Sequence, residues 1–191
     1  MAMTTRVVAV AGSLRAGSLN RRLVSVTPGL APPGMDLEVW DDLRSVPLFD
    51  EDLEAAEPSG PGGVAEIRGL VADHDGLLIA TPEYNQSVPG VTKNFVDWLS
   101  RPDEGSVLNE KPVAIIGATT GPWGTRYAQK ELRHALTAAG AIVMPQPMFF
   151  LPMAEQVFDP SGRLTDRDAA RRLRHLLQSF RRWIELVAGT R

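Results

Sequence analysis

The chain has 191 residues, of which 43% are hydrophobic and 23% are charged, and its formal net charge is -3 at pH 7. This length and balance predict one globular domain over residues 1–191, with no charge excess that would favour nucleic acid or an anionic membrane as a partner. The chain contains no cysteine, which excludes disulfides, thiolate catalysis, iron–sulfur clusters and cysteine-ligated zinc, and we expect no metal site. No apolar run approaches the ~20 residues of a membrane-spanning helix, and the start is not typical of a signal peptide, so we expect a cytoplasmic protein.

The first third of the chain alternates between strand and helix patterns. The run RVVAVAG at 6–12 is short and rich in β-branched residues, which predicts a buried strand. Residues 18–26 predict a short helix that ends before Pro28, and the alternating run at 36–40 predicts a second strand. Residues 45–63 are acidic and rich in proline and glycine, so we predict a surface loop there.

The rest of the chain continues the same alternation. The predicted elements are helix 64–74, strand 75–81, helix 88–100, strand 111–119, helix 125–140, a fifth strand that begins at 141–145, and helix 166–188. Helices 88–100 and 166–188 each carry one apolar stripe at helical spacing, which predicts that each packs one face against a core.

Five strand-to-helix alternations predict an α/β fold in which helices cover both faces of a parallel sheet. We expect a three-layer, doubly wound domain whose five-stranded sheet has the order 2-1-3-4-5. In such sheets ligands bind beyond the carboxyl ends of the strands, where the winding direction reverses. The unusual loops of this sequence, at 12–23, 81–90 and 117–129, follow strands 1, 3 and 4, which would lie side by side. That coincidence predicts a ligand site.

The loop after strand 1 has the composition of an anion site. Gly12 permits a tight turn, while Ser13, Ser18 and Asn20 offer hydrogen-bonding groups at a helix start and Arg15 adds a permanent cation. Together these groups suit a phosphate, although Ser18 could instead only cap the helix. The loop lacks the Lys-Ser/Thr of a P-loop and the G-x-G-x-x-G of a dinucleotide fingerprint.

Two motifs in order carry a resemblance to a known family. The segments GSLRAGSLNRRL at 12–23 and PEYNQSVPGVTKNFVDWLSR at 82–101 resemble the NADPH-dependent FMN reductases of flavodoxin-like fold, which include bacterial quinone, chromate and azo-dye reductases. The resemblance covers roughly residues 6–145 and implies FMN as cofactor, with NADPH or NADH as co-substrate. The residues that it implies for FMN are Ser13, Arg15, Ser18, the Leu19 backbone and Asn20 at the phosphate, Pro82, Glu83, Tyr84 and Asn85 at the ring, and Thr119, Thr120 and Gly121 at the ring or ribityl chain.

The chemistry of the loop at 81–90 agrees with that implication. Pro82 and Pro89 restrict the backbone, so the loop is stiff before any ligand arrives. Tyr84 offers an aromatic face and Asn85 can both donate and accept, which suits a flat ring with a polar edge. The alternative is a rigid turn capped by Ser87, which leaves the mixed side chains unexplained.

Two positions depart from the family pattern. Pro122 and Trp123 stand in the middle of a loop that is usually richer in glycine. Trp123 could narrow the space above the ring, pack against a neighbouring subunit, or serve as an ordinary buried anchor. Thr92 stands where an apolar residue is more usual, and we expect it to affect helix packing more than chemistry.

The resemblance implies an oxidoreductase that passes hydride from NAD(P)H through the flavin to an electrophilic small molecule, such as a quinone, free flavin, azo compound or metal oxyanion. The flavin N5 would carry the hydride, so no catalytic side chain is required. Consistently, His74, His134 and His175 fall in predicted helices outside the three loops. The alternatives are a flavodoxin-like electron carrier without NAD(P)H turnover, against which Arg15 argues, and an interaction protein that keeps only the fold.

The resemblance also leads us to expect a homo-oligomer, either a homodimer or a homotetramer. Trp98 and Trp123, near the proposed site, support that expectation as large apolar side chains that a subunit interface could bury.

Overall fold

A parallel β-sheet organises the chain, which the computed structural model describes over residues 4–102 and 105–189. Every ladder in the sheet is parallel, and the strand order is β2-β1-β3-β4-β5, with a further strand, β6, on β4. The predicted order is therefore confirmed. The strands are β1 (Thr5–Ala11), β2 (Met35–Trp40), β3 (Gly76–Ala80), β4 (Pro112–Ala118), β5 (Ile142–Val143) and β6 (Phe149–Leu151).

The predicted fifth strand is split into two short pieces on the same side of β4. The piece β5 pairs with the start of β4, and β6 pairs with its end, where Ala118 lies opposite Leu151. Pro145 and Pro147 lie between the two pieces. Because proline has no amide hydrogen to give to a ladder, the pairing is interrupted there and resumes beyond it.

The predicted helices are confirmed, with ends that differ by a few residues. They are α1 (Leu19–Ser25), α3 (Gly63–Asp73), α4 (Gly90–Leu99), α5 (Arg126–Ala138) and α6 (Arg167–Ala188).

The prediction of a loop over 45–63 is wrong in one respect, because a short helix α2 (Glu51–Ala56) lies within it. The side chain of Asp50 accepts a hydrogen bond from the amide of Asp52 and caps this helix, and acidic residues fill its first turn. Negative side chains near a helix N-terminus are stabilising, so the acidity that suggested a loop instead supports a helix.

The strands face two separate core layers because alternate side chains of a strand point to opposite sides of the sheet. Val7 and Ala9 of β1 pack on the side covered by α1 and α6, whereas Val8 and Val10 pack on the side covered by α3, α4 and α5. The apolar stripes predicted for α4 and α6 face these layers, with Phe95, Trp98 and Leu99 buried in α4 and Leu173, Leu176, Leu177 and Phe180 buried in α6.

These helices are packing elements of a globular core. No helix within 4–102 and 105–189 is long and apolar enough to cross a membrane.

Candidate functional site

A cleft of about 170 Å³ lies at the carboxyl ends of β1, β3 and β4, where the sequence predicted a site. Its walls come from the loops that follow these strands, so residues far apart in sequence meet there. The lining residues are Ser13, Arg15, Ser18, Leu19, Asn20, Pro82, Glu83, Tyr84, Ala118, Thr119 and Thr120.

The structure brings together nearly all the residues predicted for the site. Asn85 and Gly121 do not line the cleft, and Ala118 lines it without having been predicted. Ala118 is the last residue of β4 and, as an alanine, carries no functional group that a sequence motif could reveal.

The first loop leaves the sheet at Gly12, whose amide and carbonyl are both hydrogen-bonded. The amide of Gly12 donates to the carbonyl of Ala80 at 2.8 Å, and the carbonyl of Gly12 accepts from the Thr92 hydroxyl at 3.0 Å. Ser13 donates its amide back to Ala11 at 2.8 Å, which closes a tight turn. The loop therefore starts from a fixed position.

Beyond that turn the loop has uncommitted donors. The amides of Leu14, Ala16 and Gly17 have no hydrogen-bond acceptor within the described part of the chain. The Arg15 guanidinium reaches only the carbonyl of Gly17, at 3.4 Å, and forms no ion pair with a described carboxylate. These groups are available to an anion.

The start of α1 is capped by its own residues. The Ser18 hydroxyl accepts from the amides of Asn20 at 3.2 Å and Arg21 at 3.4 Å, so Ser18 does cap the helix, as the alternative proposed. The Asn20 side chain makes a paired contact with Ala118, because its Nδ2 donates to the Ala118 carbonyl and its Oδ1 accepts from the Ala118 amide, both at 2.9 Å. Asn20 is 2% exposed, so its amide fixes α1 to the end of β4.

The loop after β3 contains a tight hairpin turn. Tyr84 and Ser87 exchange backbone hydrogen bonds of 3.2 and 3.0 Å around Asn85 and Gln86, whose φ angles are 52° and 58°. Positive φ at both central residues is the requirement of a type I′ turn, in which asparagine is favoured. This placement explains why Asn85 does not line the cleft. Capping by Ser87 is wrong, since α4 starts after Pro89 without a side-chain cap.

The Glu83 carboxylate joins the second loop to the start of α5. Its Oε2 accepts from the amides of Tyr127 at 2.9 Å and Ala128 at 3.0 Å. The N-cap residue Thr125 makes no capping hydrogen bond of its own, so Glu83 supplies that function from another loop. Glu83 lines the cleft while this oxygen is directed at the helix.

The third loop turns outward at Trp123. Gly124 has a φ of 73°, and a Cβ there would lie 2.7 Å from the Phe150 Cβ, so the loop is pressed against β6 at this point. Trp123 is 75% exposed, and the interpretation as a buried anchor is therefore wrong. Its carbonyl accepts from Nε of Arg126 at 2.9 Å, and the Arg126 guanidinium lies 4.9 Å from the centre of the Phe150 ring.

Trp98 does not lie at a surface that a second subunit could use. Its side chain is 1% exposed and its Nε1 donates to the Pro47 carbonyl at 2.9 Å. Its bulk belongs to the core layer on the α4 side, so only Trp123 of the two predicted tryptophans is accessible.

The histidines lie outside the cleft, as predicted. His74 is buried just after α3, with Nδ1 2.7 Å from the Leu70 carbonyl and Nε2 3.2 Å from a Glu38 carboxylate oxygen. It precedes β3 and so sits at the opposite edge of the sheet. His134 and His175 lie within α5 and α6.

A parallel sheet in this order, with a cleft where the winding reverses, defines the flavodoxin-like class of α/β proteins. The predicted fold class is thereby confirmed. The family model for NADPH-dependent FMN reductases matches residues 5–156. The chain belongs to this family, and the resemblance inferred from the two motifs is confirmed.

Curated relatives and a solved structure agree with that assignment. An NAD(P)H-dependent FMN reductase of Pseudomonas aeruginosa is 39% identical over 184 residues, which cover 96% of this chain and 97% of that relative. A quinone reductase of Escherichia coli strain K12 is 35% identical over 189 residues, covering 98% of this chain and 99% of that relative. The structure of FerB, a flavoenzyme NAD(P)H:(acceptor) oxidoreductase from Paracoccus denitrificans, matches with a TM-score of 0.85 at 31% identity and covers 95% of this chain and 97% of that one.

We expect Glu83→Ala to lower the free energy of unfolding by about 0.5–2 kcal/mol, because two amides of α5 lose their acceptor. Urea denaturation would measure this loss, and amide hydrogen exchange should accelerate at Tyr127 and Ala128. The matched control is Glu131→Ala, an exposed position on the same helix, which should change stability by less than about 0.5 kcal/mol. Equal effects of the two variants would contradict the capping role.

Proposed function

We propose that this protein is an FMN-dependent NAD(P)H oxidoreductase that passes hydride to an electrophilic small molecule such as a quinone. The observation that carries the proposal is the cleft itself, which Ser13 and Arg15 line together with the proline-bearing loop after β3, at the carboxyl ends of the strands where the winding of the sheet reverses. Its location would be the cytoplasm, where NAD(P)H is supplied.

The first loop suits the phosphate of FMN. The Ser13 hydroxyl lines the cleft as a neutral donor, and Arg15 is the one cation among the described residues that line it. The unbonded amides of Leu14, Ala16 and Gly17 belong to the same loop. Charge-assisted hydrogen bonds to a guanidinium are roughly twice as strong as neutral ones, so Arg15 would contribute most to holding a dianion. The donor set therefore fits the phosphate end of this cofactor.

The rest of the cleft suits a flat ring with a polar edge. Pro82 and Tyr84 offer apolar surface on one side, and Thr119 and Thr120 offer hydroxyls on the other. A volume of about 170 Å³ is below the ~300–1,000 Å³ of pockets that enclose a whole drug-sized ligand. The cleft can therefore enclose only part of FMN and leaves the remainder at its open mouth, where reductant and acceptor can approach.

In this reaction the chain's own residues position and shield the cofactor, and none of them is required as an acid or base. When bound, FMN would supply the chemistry of hydride transfer between NAD(P)H and the acceptor. Glu83 is the one carboxylate that lines the cleft within the described residues, and its Oε2 already accepts two amide hydrogen bonds. Its role is to hold the second loop against the start of α5, where the third loop ends.

Quinones are the acceptor class that the relatives support, since one is named as a quinone reductase and FerB as an NAD(P)H:(acceptor) oxidoreductase. Tyr84 lines the cleft, Trp123 lies on the third loop and Tyr127 lies in the first turn of α5, and all three aromatic rings are exposed. Aromatic faces favour flat, apolar acceptors by stacking, which agrees with a quinone.

The deciding experiment measures oxidation of NADPH and of NADH by the FMN-loaded protein, with benzoquinone as acceptor. We expect steady turnover with at least one of the two nicotinamides. Bound FMN without turnover on either nicotinamide would overturn the reductase function and favour an electron carrier. Failure to bind FMN would leave only the fold in common with the family.

Arg15→Ala should weaken FMN binding by roughly 10- to 150-fold, because the loss of one charge-assisted hydrogen bond costs about 1.5–3 kcal/mol. Quenching of flavin fluorescence measures the affinity. Riboflavin, which lacks the phosphate, should bind the variant as it binds the wild type. Arg22→Ala is the matched control, since Arg22 lies on α1 and does not line the cleft. Unchanged FMN affinity in Arg15→Ala would contradict the phosphate assignment.

We further propose that the protein is a homodimer or a homotetramer. Tyr84, Trp123 and Tyr127 are 54%, 75% and 54% exposed, and exposed aromatic groups of this kind are typical of protein interfaces. Size-exclusion chromatography with light scattering at micromolar concentration should give twice or four times the mass of the chain. A monomer under these conditions would contradict the proposal.

A further inference from the structure

The sequence predicts that Thr92, in the first turn of α4, affects helix packing more than chemistry, and the structure shows that its side chain also makes a specific polar contact. The residue is 0% exposed, and its hydroxyl donates to the carbonyl of Gly12 at 3.0 Å. A buried threonine hydroxyl in a helix commonly bonds to a carbonyl of its own preceding turn. Here it bonds instead to the first loop, 80 residues earlier in the chain.

The same contact explains why position 12 is a glycine. Gly12 does not have a positive φ, so the backbone conformation does not require glycine there. A Cβ on Gly12 would lie 2.2 Å from Oγ1 of Thr92, a distance at which the two atoms collide. The first loop and α4 therefore approach so closely that only the hydrogen bond fits between them.

The hydrogen bond also sets the orientation of one peptide plane. In the planar unit between Gly12 and Ser13, the carbonyl and the amide point in opposite directions. Thr92 holds the carbonyl and the Ala11 carbonyl holds the Ser13 amide, at 3.0 and 2.8 Å, so both ends of the plane are fixed. The free amides of the loop begin at the next residue, Leu14.

Loss of the Thr92 hydroxyl would leave the Gly12 carbonyl buried without a donor. A buried carbonyl without a partner is costly, and rotation of the peptide toward solvent would relieve that cost. That rotation would also break the hydrogen bond between the Ser13 amide and the Ala11 carbonyl, because the two groups share one peptide plane. Ser13 and Arg15, which line the cleft from the same loop, would then no longer be held in position for a phosphate.

We propose that Thr92 is a positioning residue that orients the first loop for the phosphate of the flavin, acting through the carbonyl of Gly12. The proposal rests on the function proposed above. It assigns to Thr92 an effect on the phosphate end of the cofactor and none on the ring, which the second and third loops hold.

The test compares the affinities of FMN and riboflavin in Thr92→Val, which keeps the shape of the side chain and removes the hydroxyl. We expect FMN to bind about 10-fold more weakly and riboflavin to bind within about twofold of wild type, because the Gly12 carbonyl in the phosphate loop loses its only donor among the described residues while the other two loops keep their contacts. Thr92→Ser keeps the hydroxyl and should restore both affinities. Thr92→Ala removes the hydroxyl without adding bulk and should repeat the result of the valine variant.

The matched control is Thr27→Val. Thr27 is also 0% exposed, and its hydroxyl donates to the Val24 carbonyl at 2.7 Å, beyond the far end of α1 from the cleft. This variant should lose stability as Thr92→Val does, yet keep the wild-type ratio of FMN to riboflavin affinity. The ratio therefore separates positioning of the loop from a general loss of stability.

Equal weakening of FMN and riboflavin in Thr92→Val would overturn the positioning role and leave Thr92 as a packing residue. Unchanged affinities in both the valine and the alanine variants would overturn it as well. Wild-type protein that binds neither flavin would instead overturn the proposed function, and the role of Thr92 would fall with it.

Discussion

The hydrogen-bonded pairing of Asn20 with Ala118 is the interaction on which the site depends most directly. Two bonds of 2.9 Å join the start of α1 to the last residue of β4, and the Asn20 side chain that makes them is almost fully buried. The first loop ends at the start of α1, and the third loop leaves the sheet after Ala118. Their separation at the cleft floor is therefore set by one amide side chain, which satisfies both backbone groups of Ala118 in a place that water does not reach.

Two further contacts complete the same arrangement. Thr92 ties the first loop to α4, and Glu83 ties the second loop to the start of α5. Thr92 bonds a carbonyl of the first loop, and Glu83 bonds an amide at the start of α5. Among the described residues, neither backbone group has a partner within its own segment. The first loop keeps the unbonded amides of Leu14, Ala16 and Gly17 close in sequence to Arg15, whose guanidinium reaches only the Gly17 carbonyl.

The cleft encloses only about 170 Å³, and the Trp123 side chain on the third loop is exposed. An enclosed pocket selects one ligand by shape, whereas a partly open cleft leaves room for flat molecules of several kinds. Arg126, at the start of α5, is held by the Trp123 carbonyl and by the Phe150 ring, which fixes the end of the third loop.

The sequence by itself determined the alternation of strands and helices, the sheet order and the loops that form the site, because hydrophobic periodicity and turn residues are local signals. It also contained Pro145 and Pro147, which divide the last strand. Only the tertiary structure decided which side chains are free for a ligand. The partner of Asn20 lies 98 residues away and that of Glu83 lies 44 residues away, so no local pattern reveals that these polar groups are already bonded. The exposure of Trp123 and the burial of Trp98 were decided in the same way. A tryptophan is a core residue or a surface residue according to which segments the fold packs against it.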